Sequence, residues 1–201
     1  MSSASTTRLM VLGVVRILQP VHGYDVRREL LSWNAENWAH IAPGSIYNQL
    51  KTLAAEGLVE NVGTESQGGR PARTAYRPTP DGEEEFTRLL RAAWWNLSTS
   101  PAGIYAAVCF LPHLSRAELI AALEHRIGLI ASMQAGMQFA IDDLPSPTTP
   151  GHVAEVLRLS VSYADGETAW AAELLKRLKA GHYLTAGEFK DSTDLMGPKN
   201  A

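Results

Sequence analysis

The sequence predicts a mainly α protein: a winged helix-turn-helix of three helices plus a β-hairpin wing, followed by a C-terminal α-helical dimerisation domain. Three observations predict it. Apolar residues recur at helical spacing in three segments before Gly57, two strand-like segments then flank a glycine-rich tip, and two long amphipathic segments follow Ser115. A length of 201 residues allows one large domain or two small ones. The expected division is residues 1–82 for the winged unit, 83–181 for the helical unit and 182–201 for a polar, aperiodic, flexible tail.

From Arg8 to Leu18, Leu9, Leu12, Val15 and Ile17, with Met10, Val11 and Val14 on other faces, read as a helix buried on most sides and closed by Pro20. His22-Gly23-Tyr24 opens a short second helix through Leu31, whose apolar face is Tyr24, Val26, Leu30 and Leu31. A third helix begins near Pro43, because the missing N–H of proline has no intrahelical partner in a first turn, and it is expected to end by Gly57. On a wheel of about 100° per residue, Ile46, Leu50 and Leu53 stack on one side. Gly44, Ser45, Asn48, Lys51, Thr52 and Ala55 gather on the other.

Leu58-Val59-Glu60-Asn61-Val62 then reads as a strand and Thr74-Ala75-Tyr76-Arg77 as its return, with Gln67-Gly68-Gly69-Arg70-Pro71 between them. Pro80 and the carboxylates after it start a helix that runs past Trp94 and Trp95. Ser115-Arg116-Ala117-Glu118 fits a capping box, and an apolar stripe continues through Leu119, Leu123, Ile127, Ile130, Met133 and Met137. After the loop Leu144 to Pro150, a second long helix reaches toward Ala180 and stops at Gly181. Its apolar residues cover more than one narrow stripe, so the two helices must pack on each other and on a second copy of the chain.

Composition narrows the function. With 45% hydrophobic and 19% charged residues the chain folds rather than staying disordered. Lys+Arg 18 against Asp+Glu 21 gives a net charge of −3, but residues 1–80 carry an excess of bases and the remainder an excess of acids, so a polyanion is expected to meet the first part. One cysteine permits no internal disulfide, and the scattered histidines make no metal-ligand pair; no cofactor or metal is expected. The apolar stretch at Leu9 is broken by Arg16 and lacks a cleavage site, and the run from Ile104 to Leu111 is too short to span a bilayer, so a cytoplasmic protein without a membrane partner is expected. No G-x-S-x-G, P-loop or G-x-G-x-x-G is present, which argues against an enzyme.

The third helix and the hairpin together point to double-stranded DNA. The second helix of a helix-turn-helix lies in the major groove. Ser45 near its start can receive a phosphate, Asn48 can pair with an adenine edge, and Lys51 can neutralise a phosphate or approach guanine, with Thr52 on the same face. Such a face on an isolated helix is ordinarily just solvated. Here the tip adds Arg70 and Arg73, with no acidic residue between Glu65 and Asp81. Tyr24 and Tyr47 read either as phenols that reach a phosphate or as half-buried packing; His22 either orders the turn before the second helix or meets DNA. Cys109 reads as a buried inert thiol rather than a redox sensor, and Met133 and Met137 as core filler.

A family resemblance rests on residues in order. Leu12-Gly13, His22-Gly23-Tyr24, Pro43-Gly44-Ser45-Ile46-Tyr47-Asn48-Gln49-Leu50-Lys51-Thr52-Leu53, Glu56-Gly57-Leu58-Val59 and the wing from Gly68 to Thr79, closing with Gly82, resemble the PadR family of bacterial transcriptional regulators. The likeness covers most of residues 8–82. It implies a homodimer held by carboxy-terminal helices, operator binding as a repressor, and relief by a small molecule. It also implies that Trp94 and Trp95, at the junction of the domains, stack a planar aromatic effector, the alternative being interface packing. The family often has an arginine where Thr52 stands. The other function weighed is a dimeric small-molecule or protein-binding module that keeps the winged fold without reading DNA; Arg70 and Arg73 argue against it.

Overall fold

The computed structural model describes residues 2–65, 73–98, 100–144 and 150–189. They form two compact units, one up to Phe110 and one from Leu111.

The first unit is built around α1 (Ser3–Leu18), in which Leu9, Met10, Val11, Leu12, Val14 and Val15 are all fully buried. The helix starts at Ser3 rather than Arg8 because Ser2 caps it, its hydroxyl accepting from the Ser5 N–H, while Thr6 and Thr7 donate their hydroxyls to the carbonyls of Ser2 and Ser3. Next come β1 (Val21–His22), α2 (Gly23–Ser32), the single turn α3 (Ala35–Trp38), α4 (Pro43–Ala55), β2 (Val59–Glu65), β3 (Arg73–Pro78), α5 (Pro80–Trp95) and α6 (Ala102–Cys109). Val26 and Leu30 of α2 and Ile46, Leu50 and Leu53 of α4 are buried where these helices pack on α1.

The sheet has the order β1-β3-β2 and is antiparallel throughout. Glu60 lies opposite Arg77, and a bulge between Asn61 and Thr64 is accommodated by Gly63, whose φ of +79° is left-handed. The two-residue β1 sets Val21 opposite Tyr76 and thereby ties the start of α2 to the wing. A pair of residues is too short to leave an alternating pattern, so it escapes a sequence reading.

The sequence-based boundary at residue 82 falls in the first turn of α5, and the contacts group α5 and α6 with the winged elements. Phe110, at the end of α6, meets Phe86 edge-on at 5.3 Å and Trp33 at 5.7 Å. Its ring lies so close to Gly13 that a Cβ there would stand 2.2 Å from it. The first turn of α5 is keyed to the turn after α4. Thr79 donates its hydroxyl to the Gly57 carbonyl at 2.7 Å and its N–H to the Leu58 carbonyl at 3.1 Å. A Cβ at Gly82 would lie 2.0 Å from the same Leu58 oxygen, so no larger residue fits.

The second unit is a helical hairpin of α7 (Arg116–Asp142) and α8 (Ala154–Lys179). Ser115 caps α7 by accepting from the Glu118 N–H at 3.3 Å, as the capping box predicts. Leu119, Ala122, Leu123 and Ile130 face Ala164, Ala171, Leu174 and Leu178 across an apolar seam in which Arg126 is also buried. Lys179 reaches Glu124 at 2.8 Å, Arg126 pairs with Glu167, and Gln134 donates to Asp165 at 2.7 Å, so the helices run antiparallel. Residues 182–189 are anchored back on α7: Arg116 donates to the carbonyls of Leu178 and Tyr183 and to the Glu188 carboxylate, and the Ala186 N–H bonds to Leu114 O at 3.0 Å. The rest of the expected tail, from residue 190, lies outside the described residues. Among the described residues no helix is long and apolar enough to cross a membrane, and no group of three or more His, Cys, Asp or Glu is placed to hold a metal.

The hydrogen bond from Arg116 lowers the Glu188 carboxyl from its ordinary 4.5 to about 2. A folded value below the unfolded one means that the anchor is fully stabilising above pH 4.5 and is lost as pH falls through about 2. In an NMR titration the Glu188 carboxyl carbon and the Ala186 amide are therefore expected to move together with a midpoint near 2; a midpoint at the unperturbed value would mean the anchor does not form.

Candidate nucleic-acid interface

α4 begins with Pro43 at its first turn, and its buried Ile46, Leu50 and Leu53 turn the opposite side outward. Asn48 and Lys51 are exposed, and among the described residues neither makes a hydrogen bond or ion pair through its side chain. No acidic residue lies within the helix; Glu56 follows as its C-cap. Ser45 and Thr52 are less free. The Ser45 hydroxyl donates to the Ala42 carbonyl at 2.6 Å and that of Thr52 to the Asn48 carbonyl at 3.0 Å, so each offers a ligand its oxygen as an acceptor rather than its proton.

Beside this face lies a cleft of about 510 Å³ where the start of α2, the first half of α4 and the wing strand β3 meet. Tyr24 and Tyr47, 60% and 40% exposed, flank it, with Tyr76 from β3 and Arg28 from α2. Gly23 lets the Tyr47 ring approach, since a Cβ there would come within 3.2 Å of that ring and of Leu50. Arg28 pairs with Asp25 at 2.7 Å and sits 5.7 Å over the Tyr24 ring. His22 donates from Nδ1 to the Thr74 carbonyl at 3.2 Å, so it orders the joint between α2 and the wing. The cleft thus brings Tyr24 and Tyr47 together with the α4 face and adds Arg28 and Tyr76, which sequence reasoning did not single out. Arg28 looks like any solvated helix arginine, and Tyr76 like an ordinary strand aromatic, until topology places them.

The wing tip is a different matter. Arg70 lies outside the described residues, and of Arg73 the backbone is described, opposite Glu65 in the β2–β3 ladder, but not the side chain. Arg77 further down β3 is already paired with Glu60 at 2.6 Å. Trp94 is fully buried and Trp95 half-buried on α5.

The profile of the transcriptional regulator PadR-like family matches residues 11–88, the span that contains α2, α4, the wing and the start of α5. Residues 11–88 are a PadR-like domain. No curated protein matches the chain. Among solved structures, PadR of Bacillus subtilis in complex with operator DNA is similar at 20% identity over 85% of this chain and 98% of that one, with a TM-score of 0.40. A PadR-like transcriptional regulator from Bacillus cereus aligns at 17% identity over 85% and 94%, TM-score 0.37. Bacillus subtilis PadR in complex with p-coumaric acid aligns at 17% over 87% and 99%, TM-score 0.35. The family that the model describes is one of transcriptional regulators, and the exposed face of α4 and its adjoining cleft lie within the matched residues.

Cys109, beyond the PadR-like domain, takes no part in that surface and is half-buried rather than fully buried as expected. Burial pushes its thiol up from 9.0 to about 11. Iodoacetamide at pH 8 is expected to label the native protein much more slowly than the unfolded one; equal rates would contradict this.

Proposed function

We propose that the protein is a homodimeric repressor in which each subunit sets α4 into a major groove of a pseudo-palindromic operator. The observation that carries the reading is the pair Asn48 and Lys51, exposed, unpaired among the described residues and set on a helix with no acid before its C-cap Glu56, beside a cleft lined by Tyr24, Tyr47, Tyr76 and the Arg28–Asp25 pair. Asn48 reads a base edge and Lys51 takes a phosphate, with Ser45 and Thr52 adding acceptor oxygens on the same face. Tyr24 and Tyr47 sit where the flanking sugar-phosphate strand passes, and Arg70 and Arg73 reach phosphates or the adjoining minor groove. Half-sites about 34 Å apart, or a multiple of it, follow from two-fold symmetry.

The hairpin of the second unit supports the dimer. Its seam is buried only over the halves of α7 and α8 nearest residues 116 and 179; beyond Ile130, α7 buries Ile141 alone, and before Ala164, α8 buries Ala154 alone. Residues 127–141 contain no charged side chain. Phe139 is 77% exposed there, and Val156, Leu159 and Tyr163 stand exposed at three- and four-residue spacing on α8. That much uncharged apolar surface on a single copy favours a second copy as its cover. Release by a small aromatic effector near Trp94 and Trp95 completes the reading, on the strength of the family likeness.

The test begins with a duplex enriched by the wild-type protein from a random pool, with affinities read by fluorescence anisotropy. Asn48→Ala is expected to lower the preference for that duplex over random DNA about tenfold, the scale of one bidentate base contact. Lys51→Ala is expected to weaken both alike and to reduce the slope of log K against log salt by about 1. Equal effects of the two changes on both duplexes would remove the division of labour. For the assembly, Leu159→Glu is expected to convert a sedimenting dimer into a helical monomer with a weakened hold on the enriched duplex; a wild-type monomer would refute the dimer.

A further inference from the structure

The end of α4 is held by a cluster of charges that the DNA-reading surface does not use. Arg8 of α1 points its guanidinium between two other elements. Nη2 donates to Glu56, the C-cap of α4, and Nε donates to Glu85 of α5 at 2.9 Å. Glu85 also receives Arg88 at 2.7 and 3.0 Å. Arg8 and Glu85 are largely enclosed, with 22% and 15% of their side chains exposed, while Glu56 is 43% exposed. Close by, Thr79 and Gly82 lock the first turn of α5 onto Gly57 and Leu58, the residues that follow α4. Arg16, also on α1, bridges to Glu83 of α5. The last turn of α4, the first turns of α5 and the outer side of α1 therefore form one joint.

Glu56 is the informative member. A carboxylate at the carboxyl end of a helix opposes the helix dipole, and on a DNA-reading helix it also repels phosphates. The acid does have a use as the handle by which Arg8 grips α4. Its hydrogen bond to Arg8 holds the Glu56 carboxyl below its ordinary range, and that of Glu85 is lowered first by Arg88 and then by Arg8.

We infer that Arg8 is a positioning residue for DNA recognition: by joining Glu56 to Glu85 it fixes the end of α4 against α5 and so the placement of the reading face. The inference rests on the DNA-reading proposal above and deepens it, for α5 is the helix by which the chain leaves the PadR-like domain. Partly exposed ion pairs contribute little to global stability. The consequence of losing Arg8 is therefore a misaligned reader in a folded protein.

The experiment compares wild type, Arg8→Ala, Arg8→Lys, Glu56→Gln and the double variant Arg8→Ala/Glu56→Gln at equal folded concentration, checked by circular dichroism melts. The probes are the duplex enriched by the wild-type protein and a random duplex. Arg8→Ala and Glu56→Gln are each expected to reduce the preference for the enriched duplex about fivefold to tenfold, within the range of one lost base contact, while binding to random DNA holds. The double variant is expected to lose no more than the worse single change, because both remove one link. Arg8→Lys, which keeps the charge but lacks the fork that serves two carboxylates, is expected to fall between. If Arg8→Ala does not fold, Arg8→Lys and Glu56→Gln decide the matter. Unchanged preference in the folded variants overturns the inference, as does equal loss on both duplexes. A wild-type protein that enriches no duplex sinks the DNA-reading proposal itself, and the inference with it.

Discussion

The first unit depends on the burial of one helix. Six apolar side chains of α1 are wholly out of water, and α2, α4, α5 and α6 all pack against it, as does β3. At about 25 cal/mol per Å² of apolar surface removed from water, such a helix supplies the driving force that its neighbours, mostly short, cannot supply alone. Its packing also decides orientation. Because Ile46, Leu50 and Leu53 must face inward, Asn48 and Lys51 have no choice but to face outward. The chemistry of the proposed reading surface is in this sense a by-product of the core on the far side of the same helix.

Polar contacts then refine what burial has placed. Backbone ties at Thr79 and Leu58, side-chain ties through Arg8 and the steric limit at Gly82 all act at one end of α4. At its other end Tyr47 lies over Gly23 and the cleft opens. A tied far end and an accessible near end agree with the proposal that this helix approaches bases, where placement matters more than strong adhesion.

Elements with a strong local period were legible in the sequence. The span of α4, the capping box of α7, the start of α5 at Pro80 and the paired strands of the wing coincide with the structure to within a few residues. What was illegible has a shared physical cause. β1 is two residues long, and the anchoring of residues 182–189 on Arg116 uses backbone carbonyls that no side-chain pattern advertises. The Arg8 contacts join residues 48 and 77 positions apart. Tyr24 and Tyr47 illustrate the boundary: sequence left contact and packing open, and the structure exposes both rings on the rim of a cleft that exists only once α2, α4 and β3 have come together.

The seating of Gly82 against the Leu58 carbonyl has a consequence for the whole architecture. With its origin clamped and α6 folded back on it and on α1, α5 has both ends set by the core. One residue inserted in it advances the downstream chain by about 1.5 Å and turns it by roughly 100°. Loop length elsewhere is forgiving, but here an added or deleted residue would swing Leu89, Leu90, Ala93 and Trp94 out of the core, which makes the residue count of this helix as much a part of the protein's specification as any side chain.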